Sequence, residues 1–257
     1  MTQQTSARWR EVRGDDGIVI AQLDRPPANA LTADFLAEIE RAFQRLEADA
    51  SVRGVVLKGY ERIFSAGMDL KLLAELDQAG ETEVVDALNR AYGAMYAFSK
   101  PYVAAVTGHA IAGGLFFLLA ADYRVGGTGD AQFGLSEVRV GVAFPVAPLE
   151  IARAELPAAA ARRLLLGGQP VDVERAAAWG ILDEVVAPDA VEARAIAQAA
   201  ALAASPPEAF AQVKQQLRAP VLDKIRRAID AREDPTRDGW FTPQTTRAAR
   251  AVLAGEQ

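Results

Sequence analysis

Two features of this sequence could do chemistry together. One is a small-residue turn, Ala112-Gly113-Gly114, and the other is a carboxylate, Glu137, in the run Gly134-Leu135-Ser136-Glu137. The turn follows an apolar strand expected over Tyr102 to Thr107 and opens an apolar helix expected over Leu115 to Ala121. Glycines there let a ligand approach the backbone, because no Cβ stands in the way. The first N–H groups of the helix lack intrahelical acceptors and sit at the positive end of its dipole. They can hold an anion, or an oxygen that becomes anionic during reaction. Glu137 can move a proton there if it faces the turn. A second passage of this kind, Ile63-Phe64-Ser65-Ala66-Gly67-Met68-Asp69-Leu70, brings small residues to another strand end.

Strands and helices must position these turns. Trp9 to Arg13 and Ile18 to Leu23, separated by Gly14-Asp15-Asp16-Gly17, predict a hairpin. After the proline-stiffened loop Arg25 to Leu31, Thr32 is placed to cap a helix. Leu36, Ile39, Phe43 and Leu46 share one face of it through Asp49. Val52 to Leu57 reads as a buried strand, with helices expected over Asp69 to Leu76 and Glu81 to Ser99. Strands alternating with helices imply βαβ units and a largely parallel sheet. From Pro145 onward helices dominate. Gly167-Gly168 reads as a helix stop, Val173 to Trp179 as a helix, and Ile181 to Val186 as a last short strand. Further helices are expected over Asp189 to Ala204, Pro206 to Arg218, Val221 to Arg232 and Thr242 to Leu253. Arg232 to Thr242 is the expected hinge before the last of these, and its Trp240 and Phe241 either close a pocket or pack a subunit contact.

Composition excludes several classes. The 257 residues suit one large α/β domain, or one with a small appendage. A net charge of −6 argues against a nucleic-acid surface, although basic pockets for phosphates stay open. Without cysteine, and with His109 as the single histidine, there is no thiolate or multi-histidine metal site. No apolar run reaches the ~18 residues of a membrane span, the N-terminus lacks a signal-peptide core, and a cytoplasmic location is expected. His109 reads as structural and Arg124 as an ion-pair partner. Gly127-Thr128-Gly129 lacks the third glycine of a dinucleotide fingerprint.

Asn29-Ala30-Leu31, Phe64 to Leu70, Gly108 to Gly114, Asp122-Tyr123-Arg124-Val125 and Phe133 to Val138 occur in an order that resembles the crotonase superfamily, the enoyl-CoA hydratases and isomerases. The likeness spans nearly the whole chain. It implies an α/β fold of the ClpP/crotonase-like type, a spiral of ββα units with a helical C-terminal region. Residues 1–190 would form the core with the acyl-CoA site, and 191–257 a region for oligomer contacts and pocket closure. It also implies a homotrimer or a dimer of trimers. The substrate would be an acyl-CoA thioester, with coenzyme A present only as part of it, and with no metal and no permanently bound cofactor.

Carried over position by position, the resemblance makes the backbone N–H groups of Met68 and Gly113 an oxyanion hole. Glu137 becomes the acid-base residue. Arg25, Ala28, Ala30, Ala66, Asp69, Leu70, Lys71, Gly114 and Phe116 would contact the substrate, Arg25 and Lys71 serving the CoA phosphates. Hydratases of the family use two glutamates, and the first of those positions is Phe116 here. Hydration needs a group to orient water and a group to protonate carbon, whereas a 1,3-shift of a double bond needs one base. The leading expectation is therefore a Δ3-Δ2-enoyl-CoA isomerase. The alternatives are a hydratase or lyase-type enzyme, and a catalytically weak acyl-CoA-binding protein. The loop Val140 to Pro148 carries no acid, which weighs against dehalogenase-like and hydrolase-like chemistry, with Glu150 just beyond it.

Overall fold

A computed structural model describes residues 8–60, 62–73 and 75–242, together with 245, 247, 248 and 251. The chain starts with an antiparallel pair, β1 (Trp9–Arg13) and β2 (Ile18–Leu23), joined through Gly17 at φ 80°. Helix α1 (Ala33–Ala48) follows, with the Thr32 hydroxyl accepting from the Phe35 N–H as the cap. Its apolar face buries Phe35, Leu36, Ile39, Phe43 and Leu46. Phe43 meets Trp9, Phe98 and Tyr102 edge-on, with ring centroids 5.2–6.0 Å apart. Each such pair adds about 0.5–1.5 kcal/mol beyond area burial.

The turns of the spiral come next. Each delivers one strand to a large sheet and one to a small sheet. β3 (Gly54–Lys58) and β4 (Ile63–Ser65) are followed by the single-turn α2 (Leu70–Leu73) and the long α3 (Gln78–Ala97). β5 (Tyr102–Val106) and β6 (His109–Ile111) lead into α4 (Gly113–Leu119). β7 (Tyr123–Gly127) and β8 (Phe133–Gly134) lead into the short α5 (Glu137–Val140). The helical part holds α6 (Val146–Glu155), α7 (Ala158–Gly167) and α8 (Val173–Ala178), then β9 (Glu184–Val186), α9 (Val191–Ala203) and α10 (Pro207–Asp230). The large sheet has the order β1-β2-β3-β5-β7-β9, parallel from β2 onward, and the small one is the parallel β4-β6-β8. α9 covers the rear of the large sheet, seating Val191, Ala195 and Ala199 on Ile18, Val56, Val103 and Val125.

The structure corrects three local expectations. The glycine turn is not the direct continuation of the Tyr102–Val106 strand. The chain crosses at Gly108 to the small sheet first, and a Cβ there would lie 1.9 Å from the Arg62 carbonyl carbon. The helix expected over Asp69 to Leu76 shrinks to Leu70–Leu73. The two helices expected on either side of Pro220 are one, Pro207–Asp230, with the proline inside it. Burial of Lys214, Arg218, Leu222 and Ile225 along one side holds that helix together despite the lost hydrogen bond. The helix expected over Thr242 to Leu253 lies mostly outside the described residues.

Candidate active site

The ends of the small sheet converge on one cavity of about 670 Å³. Gly114 explains why two turns meet here. A Cβ on it would stand 2.3 Å from the Ser65 carbonyl oxygen, so α4 can start against the end of β4 only with glycine at this position. Gly67, at φ 82°, is equally constrained, and a Cβ on it would lie 3.0 Å from the Gly113 nitrogen. Ala112 takes φ 50° and ψ −128°, a strained conformation for a residue with a side chain. It is held by its own N–H donating to the Gly134 carbonyl at 2.7 Å. The Leu31 N–H donates to the Gly67 carbonyl and the Asp69 N–H to the Leu31 carbonyl, at 2.8 and 2.9 Å. Met68 between them is fixed as part of a short parallel bridge with Leu31. Met68 and Gly113 thus border the cavity from two adjacent turns.

Glu137 opens α5 and faces the same cavity, 9% exposed, with its Oε2 buried and without a hydrogen-bond partner. Burial pushes its carboxyl up to about 8, because the charged form loses its water. Tyr92, fully buried on α3, donates its hydroxyl to the Gly113 carbonyl at 2.6 Å and also lines the cavity. Its own ionisation is pushed well above the usual value, by burial first and then by the Glu137 charge. Phe116, one turn into α4, packs against Tyr92 and Phe144, with ring centroids 5.5 and 6.1 Å apart. Among the described lining residues the other carboxylate is Asp69, paired with Arg25 at 3.0 Å.

Arg25, Ala28, Ala30, Ala66, Met68, Asp69, Leu70, Lys71, Gly113, Phe116 and Glu137 all line this one cavity. Gly114 does not, its place being against Ser65. Asn29 is buried behind the loop, its side chain donating to the Leu23 and Phe64 carbonyls at 3.2 and 2.9 Å. His109 accepts the Gln132 N–H at 3.0 Å, and Arg124 pairs with Glu155 at 2.8 Å, both away from the cavity. Trp240 and Phe241 turn out to be wall residues, their rings 4.9 Å apart. Sequence reasoning missed Tyr92, Arg139 and Phe144. Tyr92 lies on a helix buried on several sides, so no apolar stripe singled it out. Arg139, two residues beyond Glu137, carried the only available signal, a cation close to the acid.

The chain's likenesses agree with this arrangement. The enoyl-CoA hydratase/isomerase family model matches residues 13–238. The probable enoyl-CoA hydratase EchA17 of Mycobacterium tuberculosis is 37% identical over 204 residues, which cover 78% of this chain and 76% of that protein. The carnitinyl-CoA dehydratase of Citrobacter koseri is 34% identical over 208 residues, covering 77% and 75%. The solved structure of human mitochondrial Δ3-Δ2-enoyl-CoA isomerase superposes with a TM-score of 0.90 at 25% identity, covering 97% of this chain and 98% of that one. Four of the chain's five carriers of family likeness reach one cavity with a buried carboxylate, and the chain belongs to the enoyl-CoA hydratase/isomerase family of the crotonase superfamily, an acyl-CoA-processing enzyme.

Proposed function

We propose that this enzyme is a Δ3-Δ2-enoyl-CoA isomerase. The observation that carries the reading is the presence of Glu137 beside Phe116 in one cavity: a buried carboxylate whose Oε2 has no partner, and an aromatic ring where a second acid would be needed for hydration. The 3-enoyl thioester oxygen is held by the Met68 and Gly113 N–H groups. Glu137, as carboxylate, takes a proton from C2, and the electron pair of the broken C–H bond moves into the C1–C2 bond, leaving the charge on the thioester oxygen of a dienolate. The same carboxyl then returns the proton at C4, leaving the double bond between C2 and C3. Backbone donors suit this step because they are rigid and aimed where charge develops, and the loss of one typically costs about 10²–10³ in rate. Burial that raises the Glu137 pKa also makes its carboxylate a stronger base.

The CoA portion enters past Ala28, Ala30, Ala66 and Leu70. Arg25 shares its charge with Asp69, so Lys71, exposed at the mouth, is the freer cation for a phosphate. Assembly as a trimer or a dimer of trimers accompanies this reading. It is supported by Val213 and Leu217, one turn apart on α10 and 63% and 78% exposed, and sedimentation tests it. A hydratase reading is favoured by the name of the EchA17 relative. It needs a second proton carrier, and the Tyr92 hydroxyl at the cavity is already committed to the Gly113 carbonyl.

The test offers 3-enoyl-CoA and crotonyl-CoA separately to the purified enzyme. Conjugation appearing from the first, with little hydration of the second, supports the isomerase. Rapid hydration of crotonyl-CoA overturns it, and silence with both while acyl-CoA still binds leaves the binding-protein alternative.

A further inference from the structure

The far wall of the cavity is made by a segment that the reaction does not use. After α10, residues 234–242 cross the molecule as a strap over α3 and the start of α6. Asp234, 5% exposed, accepts from the Asn89 amide and the Val146 N–H, both at 2.7 Å. It also accepts from the Thr236 N–H and hydroxyl at 2.8 and 2.6 Å. Arg237 holds Asp86 with two bonds of 2.8 and 3.0 Å, and the Phe241 N–H donates to Glu81 at 3.2 Å. Every anchor lies on α3 or the α6 start, so the strap is a fixed wall and not a loose flap.

The strap carries Trp240 into the cavity. Its indole N–H donates to the Ala143 carbonyl at 2.7 Å, and the ring is 7% exposed. Ala143 precedes Phe144, whose ring faces Phe116. A chain of contacts runs from Arg25 through Asp69 to the Leu31–Met68 bridge, and from Gly113 through Tyr92 and Phe116 to Phe144, next to the Ala143 that holds Trp240. Leu88, Phe144, Trp240 and Phe241 give the cavity an apolar stretch of wall, and the Thr245 hydroxyl, also at the lining, already donates to the Gly141 carbonyl at 2.9 Å.

We infer that Trp240 is the specificity-determining residue of this enzyme. It closes the acyl end of the cavity and restricts the substrate to apolar acyl chains of limited length. The inference rests on the acyl-CoA reading of the site, but not on which reaction Glu137 performs. A locked indole resists stepping aside for a longer chain, since leaving its place gives up the 2.7 Å bond to Ala143 and the burial of its ring. Chains that stop short of it gain from each methylene they bury, and chains that reach it gain nothing more.

The experiment measures binding of saturated straight-chain acyl-CoAs, from butyryl- to myristoyl-CoA, by calorimetry, so that no turnover is required. It compares the wild type with Trp240→Phe and Trp240→Ala, each checked for folding by thermal unfolding. In the wild type, affinity should rise about fourfold per methylene and then level off at one chain length. In Trp240→Ala the break should move to longer chains by at least two carbons. In Trp240→Phe, which keeps a ring and most of the packing, the move should be smaller but in the same direction, and this variant decides the matter if the alanine variant does not fold. A break at the same length in all the folded proteins overturns the inference while leaving the acyl-CoA reading intact. A break that moves as expected in an enzyme that shifts no double bond keeps the inference and removes the isomerase. Failure of every acyl-CoA to bind overturns both.

Discussion

Replacing Glu137 by glutamine should abolish turnover and, above neutral pH, make the protein more stable. The carboxyl is pushed from the ordinary 4.5 to about 8 by burial, with Oε2 unpartnered. A group whose pKa is raised on folding holds its proton more tightly in the folded state than in the unfolded chain. The stability associated with that proton is fully present below pH 4.5 and is lost as pH rises through about 8. At about 1.4 kcal/mol for each pH unit of that window, the fold loses about 4–5 kcal/mol. Water entering the cavity screens the bare charge, which sets a floor of about 2 kcal/mol on the same reasoning. Glutamine has nearly the same shape and stays neutral, so it avoids the loss. The difference in unfolding free energy between Glu137→Gln and wild type should therefore grow by about 2–5 kcal/mol between pH ~5 and pH ~9. For a chain of this size that is about 5–15 °C in Tm. Paired thermal or urea unfolding at the two pH values measures it directly, with acyl-CoA binding as the control that the cavity survives. A difference that stays the same at both pH values would falsify the picture of an unsolvated, unpaired carboxyl, and retained turnover in the variant would remove Glu137 as the proton carrier.

Three other outcomes follow from the same geometry. The kcat/KM for 3-enoyl-CoA should rise about tenfold per pH unit and level off above about 8, as Glu137 becomes the carboxylate that removes the proton; a flat profile between pH ~6 and pH ~9 speaks against it. Gly67→Ala should lower kcat by about 10²-fold or more, since the new Cβ at φ 82° would sit 2.9 Å from the Ala112 Cβ and 3.0 Å from the Gly113 nitrogen. Steady-state kinetics beside acyl-CoA binding will show whether the loss falls mainly on kcat, and unchanged kcat would detach the Met68–Gly113 pair from the chemistry. Phe116→Glu should bring measurable crotonyl-CoA hydration together with a lower Tm, because it buries a second carboxyl where a ring that is 1% exposed now packs. A folded variant that hydrates nothing would show that the second acid is not what separates this site from a hydratase.

Much of the fold was legible because local chemistry and long-range packing agree at the decisive positions. Thr32 caps α1 as its hydroxyl allows, Gly168 ends α7 in the left-handed region, and the β1–β2 hairpin turns where the glycines are. Glu137 and the two glycine turns were singled out by the order of motifs they share with the family, since a glycine turn or a lone glutamate has many structural uses, and most of the substrate-binding positions named from resemblance line one cavity. What the sequence did not show is set by contacts between distant segments. The crossing from the large sheet to the small one at Gly108 depends on the backbone of Arg62, forty-odd residues earlier, and leaves no periodic trace. Pro220 signals a break that the packing of α10 against α3 and α6 overrides. Trp240 and Phe241 became wall residues only through the anchors of Asp234, Arg237 and Phe241 on α3 and α6, which no local pattern announces.

The site concentrates features that each work against folding. Ala112 at φ 50° costs about 1–3 kcal/mol relative to a relaxed backbone, and Glu137 lies buried with an oxygen unsatisfied. They persist because the surroundings leave no alternative. Gly114 lies too close to Ser65 for α4 to start elsewhere, the Ala112 N–H is tied to Gly134, and Tyr92 ties the Gly113 carbonyl from the opposite side. Those three contacts come from β4, β8 and α3, elements that are continuous with the core. Relaxing Ala112 would require shifting all of them together. The turns that bring Met68 and Gly113 to the cavity are therefore set in place before any ligand arrives, and under the proposed function the site need not reorganise when charge develops on the substrate oxygen. Preorganisation of that kind is worth most where little water reaches the reacting atoms, and the burial that destabilises the Glu137 carboxylate also limits that access. The strain and the raised pKa are then one property of the fold, which is why a change that relieves either of them should stabilise the protein at the expense of its chemistry.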